Sequence, residues 1–140
     1  MKNRIISLML LACITLLCFV SCGEKPGTDD LWANALYTEN TELGGGEVSV
    51  TLEVKVLDKS VEFVINTDKQ YLGDALIEHN LIEGEEGAYG LYVKKVNGII
   101  ADFDIDQSYW ALKKDGETMM VGVDGAEIAN GEHYELEYTK

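Results

Sequence analysis

From Glu47 the chain alternates, with Val48, Val50, Leu52, Val54 and Val56 set against Ser49, Thr51, Glu53 and Lys55. A period of two predicts a strand with one face buried and one in water. Asp58-Lys59 reads as a turn, and Val61, Phe63 and Ile65 resume the alternation, so the two runs predict a hairpin. The period then changes. Leu72, Ala75, Leu76 and His79 fall at i, i+3, i+4 and i+7, one face of a helix of about two to three turns. Thr67-Asp68-Lys69-Gln70 has the form of a capping box that would start it, and Asn80 can take the left-handed conformation that ends it.

Beyond the helix, Glu83 to Gly87 reads as a glycine-containing loop and Gly90 to Val96 as a strand. Asn97-Gly98 is a two-residue hairpin signal, because both positions of that turn need positive φ. Ile99 to Asp102 should return, followed by an aspartate loop, a strand at Tyr109 to Lys114, a second such turn at Asp115-Gly116 and a return at Glu117 to Val123. Asn130-Gly131 turns into a last strand in which Tyr134, Leu136 and Tyr138 alternate. One helix with about six or seven strands predicts an α+β class: a single domain over 47–140, its helix packed on a mostly antiparallel sheet of hairpins. No internal repeat is visible.

The N-terminus has a different pattern. Lys2 and Arg4 precede an apolar run from Ile5 to Val20, shorter than the roughly 20 residues of a membrane span, and residues 1–21 read as a signal peptide. Phe19-Val20-Ser21-Cys22 resembles the lipobox of bacterial lipoproteins, with Phe19 where leucine is usual. The resemblance implies cleavage before Cys22, a lipid on its sulfur, and residence on the extracellular face of the cell membrane. The alternative is a secreted protein cut elsewhere. Residues 22–46 would then hold the lipidated Cys22, a polar tether around Pro26 and an irregular arm from Leu31 to Leu43, which Gly44-Gly45-Gly46 closes.

Charge narrows the partners. Eleven basic residues face 25 acidic ones, a net charge of −14; without Lys2 and Arg4 the counts are 9 and 25, near −16. Nucleic acid is excluded as a partner, because its binding depends on Lys and Arg neutralising phosphates. Cys13 and Cys18 leave with the signal peptide and Cys22 carries lipid, so no disulfide is expected in the mature chain.

No enzyme is expected either: there is no H-E-x-x-H, G-x-S-x-G, P-loop or paired-cysteine motif. His79 lies on the apolar helix face, and His133 follows Glu132 at the start of a strand. Asp102, Asp104 and Asp106 match the first half of an EF-hand, but Gln107 stands where the sharp turn needs glycine and Lys113 where the bidentate glutamate belongs. A solvated acidic loop and a weak calcium site both stay open. No metal ligand set or resident cofactor is expected. In Tyr109-Trp110 one ring should face the core and the other outward.

Tyr92-Val93, Val96-Asn97-Gly98-Ile99, Tyr109-Trp110, Gly122-Val123 and Ile128 resemble the C-terminal β-domain of the animal cobalamin carriers. The span from Leu31 to Lys140, with Tyr37-Thr38-Glu39-Asn40-Thr41 and Leu72-Gly73-Asp74-Ala75-Leu76, is more similar to the bacterial transcobalamin-like C-terminal domains known as DUF4430. The resemblance implies a β-grasp-like fold and a ligand site at Gly90, Leu91 and Tyr92 on one strand and Trp110, Ala111 and Leu112 on another, with Lys113 beside them. It also implies cobalamin or a related corrinoid as the small-molecule ligand. Lys113 and Lys114 depart from the apolar strand of the family. A single domain covers only one face of a corrin, so either binding is weak, or a second envelope protein completes the site, or the ligand differs. The alternative is a protein-interaction or adhesion module docking through its hairpins or a sheet edge.

Overall fold

The computed structural model describes residues 29–140; the expected signal peptide, the expected lipid site at Cys22 and the first part of the expected tether lie outside the described residues. Strands β2 (Val48–Val56) and β3 (Lys59–Thr67) form the predicted hairpin, turning at Leu57-Asp58, one residue earlier than expected. Their register sets Val50 opposite Ile65, Leu52 opposite Phe63 and Val54 opposite Val61, so one apolar row faces inward.

The expected single sheet is two. The larger has the order β1-β3-β2-β9-β7-β8, with β1 Thr41–Gly44, β7 Tyr109–Lys114, β8 Glu117–Thr118 and β9 His133–Thr139. The smaller holds β4 (Ile82–Gly87), β5 (Gly90–Val96) and β6 (Ile99–Ile100). Two pairings are parallel, β1 with β3 and β2 with β9, the second because the chain leaves the first hairpin and returns to the centre of the sheet instead of continuing at its edge. The fold is mixed α+β and mostly sheet, with one helix of seven residues, α2 (Leu72–Glu78). Leu72, Ala75 and Leu76 of α2 join Leu52, Val54, Phe63, Ile65, Tyr134 and Leu136 in one buried cluster.

The helix starts later than the capping box predicts. Thr67 Oγ1 accepts from the Lys69 N–H at 3.1 Å, and the Gln70 side chain donates to Glu127. Residues 70–72 are instead held against 126–128, where Leu72 N–H donates to the Ala126 carbonyl and Ile128 N–H to that of Gln70. That backbone contact satisfies a first-turn donor without a side-chain cap. At the other end Asn80 takes φ 55°, as expected, and Leu81 N–H closes on the Leu76 carbonyl.

Four further expectations are corrected. Glu83 to Gly87 belongs to strand β4, which forms despite its glycines and glutamates because β5 supplies the partner; it bulges at Glu83/Gly84. A Cβ at Gly84 would lie 2.1 Å from the Tyr92 carbonyl, so the close approach needs glycine. The return after Asn97-Gly98 ends at Ile100, and that after Asp115-Gly116 ends at Thr118, after which the chain loops to a single 3-10 turn at Val123–Gly125. The arm expected to be irregular contains β1 and touches a short helix, α1 (Asp29–Trp32). As expected, Asn130-Gly131 turns into the last strand, where it docks on Ser49 of β2.

Asn97-Gly98 adopts the paired positive φ that was expected, 50° and 80°. Its side chain has a second task. Asn97 is 0% exposed, and its amide accepts from Tyr37 N–H at 2.9 Å while donating to the Tyr37 carbonyl at 2.8 Å. Leu36 N–H reaches the Asn97 carbonyl, and a Cβ at Gly98 would lie 2.2 Å from the Asn34 carbonyl. The turn therefore clamps the arm, and Tyr37 packs edge-on to Phe63 at 5.4 Å.

Asn97→Ala should cost about 2–4 kcal/mol, since it strands the Tyr37 backbone and puts alanine at positive φ. Asn97→Gly should cost less, because it keeps the turn and loses only the clamp. Urea unfolding of the two variants checks the order; a neutral Asn97→Gly would mean that the clamp contributes nothing, and equal losses that the positive φ costs alanine nothing.

Candidate ligand site

The two strands singled out by the resemblance lie in different sheets, packed against each other. On β5, Gly90 sits at φ 99°, and Leu91 N–H donates to Asp124 Oδ2 at 2.7 Å, which pins the hairpin tip to the 3-10 turn. Leu91 is half-buried, and Tyr92 is 42% exposed. On β7 the alternation resolves the Tyr-Trp pair as expected. Tyr109 is 40% exposed, while Trp110 is 8% exposed and packs edge-on to Tyr138 at 5.8 Å. The indole is thus a core residue, and its buried Nε1 has no hydrogen-bond partner. Leu112 is buried beside it, and Ala111 faces the other way.

A cleft of about 480 Å³ runs along β7. Tyr109 to Lys113 line it with Glu137 and Thr139 of β9 and with Thr118, Met119, Val121 and Gly122 of the following loop. Trp110, Ala111 and Leu112 therefore border one cavity, but Gly90, Leu91 and Tyr92 do not line it. The loop approaches both groups: Val121 and Gly122 line the cleft, and a Cβ at Gly122 would lie 3.9 Å from the Leu91 carbonyl. Lys113 is engaged in an ion pair with Glu137.

The aspartates form a local device. Asp102 caps the short helix α3 (Phe103–Asp106), accepting from Asp104 N–H at 3.0 Å, and lies 3.6 Å from Lys94. Asp106 accepts from the N–H and hydroxyl of Ser108 and pairs with Lys140; the Ser108 hydrogen bonds hold its carboxyl below the usual range. Gln107 occupies the left-handed position at φ 64° where an EF-hand would use glycine. These carboxylates do not form a three-ligand cluster.

Among the described residues one such cluster exists, and sequence reasoning missed it. The parallel register sets Glu53 of β2 beside Glu135 of β9 on the outer face of the sheet, with His133 two residues before Glu135. Ligand atoms of Glu53, His133 and Glu135 lie within 4.8 Å of one another. Lys55 Nζ sits 3.0 Å from Glu135 and 3.6 Å from Glu53, and His133 Nε2 is 3.6 Å from Glu53. The Glu135 hydrogen bond raises the Lys55 pKa above its ordinary 10.5 against the opposing effect of burial. The signal was present in the outward residues of two alternating strands, but it is readable only once those strands are known to be neighbours.

The α+β fold is shared with a solved protein. Haptocorrin in complex with Cbi is 23% identical over 66% of this chain and 25% of its own, with a TM-score of 0.53, a likeness of fold alone. The family profile described as a domain of unknown function, DUF4430, matches residues 70–140. A protein from Ruminococcus gnavus ATCC 29149, described as a candidate metal-binding protein, is 33% identical over 67% of this chain and 98% of its own, with a TM-score of 0.64. The chain belongs to the DUF4430 family. Comparison with curated proteins finds no match.

Beside the cluster, burial pushes the Glu132 carboxyl up, but hydrogen bonds from Lys114, Tyr134 and Ala129 N–H outweigh it and leave the pKa below 4.5. Burial, and then Glu132, push the Tyr134 hydroxyl up. A lowered carboxyl stabilises the fold above its unfolded value and loses that contribution as pH falls through its folded one. The Glu132 contribution should therefore fade as pH falls below 4.5 and that of Asp106 below 3.8, and Glu132→Gln should flatten that acid limb. Lys55 acts oppositely: its contribution is complete below 10.5 and is lost as pH rises through the folded value. Urea midpoints across the acid range check the first effect; an unchanged slope in the variant would remove Glu132 from the account.

Proposed function

We propose that this protein is a lipoprotein, anchored through Cys22 to the extracellular face of the cell membrane, whose domain is β-grasp-like and captures a small molecule. The observation that carries the reading is the cleft along Tyr109–Lys113, on the strand the cobalamin-carrier resemblance selects. Its wall joins apolar groups, Ala111, Met119 and Val121, to the polar Lys113, Glu137 and Thr139. Met120 and Tyr89 are fully exposed apolar side chains on the adjoining loop and on the β4–β5 turn. That lining suits a flat ligand with an apolar face and polar edge groups, as in a corrinoid. An open cleft leaves the far face of such a ligand in water, whereas ligand sites usually bury about 70–90% of the ligand surface. A second envelope protein closing over it would complete the site. The aromatic contribution comes from Tyr109, since Trp110 faces the core.

A second ligand class is favoured by a separate observation. The Ruminococcus gnavus relative is described as a candidate metal-binding protein, and the Glu53–His133–Glu135 group offers nitrogen and oxygen donors for a metal ion.

Calorimetry with cobalamin and with its nucleotide-free relative tests the first reading. Binding should be seen in the wild type and lost in Ala111→Glu, which places a charge in the cleft without entering the core. Trp110→Ala is an unsuitable control, because truncating a buried Trp costs about 3–5 kcal/mol by itself. Absence of heat up to about 1 mM, where binding is worth only about 4 kcal/mol, would remove corrinoids as a ligand of the isolated domain.

A further inference from the structure

We propose that Glu53, His133 and Glu135 form a divalent metal site of the zinc class, and that the Lys55 ammonium occupies it when no metal is bound. The inference rests on the second reading above and deepens it by naming the residues and a competitor. The donor set, one imidazole nitrogen and two carboxylates, is one that zinc accepts, with open positions left for water. Tetrahedral zinc, with bonds of about 2.0–2.1 Å, places its ligands roughly 3.3 Å apart. His133 Nε2 and Glu53 Oε2 are already 3.6 Å apart, and the whole group spans at most 4.8 Å, so side-chain rotation suffices to close it.

Three features make the group more than a surface charge cluster. His133 Nε2 is shielded from water and has no hydrogen-bond partner, as a nitrogen awaiting a ligand would be. Glu135 is only 7% exposed, and a carboxylate so buried requires a cation against it. The ligands stand on β2 and β9, the two central strands of the large sheet, whose register fixes their spacing.

Lys55 meets the present need for a cation, donating to Glu135 at 3.0 Å. Its ammonium lies between the two carboxylates, 3.0 Å from Glu135 and 3.6 Å from Glu53, and its side chain is 35% exposed, so it can swing into water when a metal enters. Glu53 and Glu135 would then neutralise the ion. Lys113, opposite Glu135 across the β7 register, is already paired with Glu137 and does not compete.

The full chain, purified in detergent and carrying ¹⁵N only in histidine, gives ring signals from two residues, His79 and His133. Zinc chloride is titrated into the wild type and into Lys55→Met, Glu53→Gln and Glu135→Gln. The expected result is a shift of His133 Nε2 with His79 unmoved, zinc affinity raised about tenfold or more in Lys55→Met by removal of the like charge, and loss of the shift in both glutamine variants. Glu53→Gln guards against instability of Glu135→Gln, because Glu53 is the less buried of the pair. An unmoved His133 in both wild type and Lys55→Met at about 1 mM zinc overturns the site. Zinc retained in that case would leave a metal-binding domain with its ligands elsewhere, whereas no zinc retained would overturn the metal reading as well.

Discussion

The parallel pairing of β2 with β9 is the constraint on which the rest of the molecule depends. It sets Leu52 beside Tyr134 and Val54 beside Leu136 on the inner face, and these residues centre the core. The same register sets Glu53 beside Glu135 and Lys55 beside Glu137 on the outer face. Because side chains alternate with a period of two, a slip of one residue would send the glutamates into the core and the leucines into water. Parallel neighbours also need a long crossover, and the chain uses it to place helix α2 and the whole small sheet.

That crossover explains which parts of the fold were legible. Strands β2, β3, β5, β7 and β9 announce themselves by alternation or by a flanking turn, and Asn80, Asn97-Gly98 and Asp115-Gly116 take the positive φ that their side chains tolerate. These are local properties. The hidden elements owe their structure to a distant partner: β4 carries glycines and glutamates yet is paired by β5, and β1 is held by β3. The helix start failed for the same reason, since residues 126–128 replace the cap that Thr67 and Gln70 appeared in sequence to supply.

The site follows the same division. Opposite faces for Tyr109 and Trp110 were readable from alternation, and so was an acidic 102–106 loop that fails as an EF-hand. The Glu53–His133–Glu135 group was not, because its members come from two strands about eighty positions apart that become neighbours only in the folded sheet. Cleft and cluster share that outer face. Glu137 borders the cleft and Glu135 belongs to the cluster, two positions apart on β9, or roughly 7 Å along the strand. Lys55 pairs with Glu135 and Lys113 with Glu137, so two outward lysines on the strands flanking β9 organise the charged surface.

The edges of both sheets bear on how copies of this protein behave when crowded together. An open strand edge is a template for another chain, and long, flat, apolar edges invite polymerisation. Here β8 is two residues long, β1 is four and is followed directly by Gly45-Gly46, and β4 carries Glu83, Glu85 and Glu86. With a net charge of −14 on the whole chain, neighbouring copies repel before such edges can meet. The domain can therefore be packed densely while its sheets remain closed to one another.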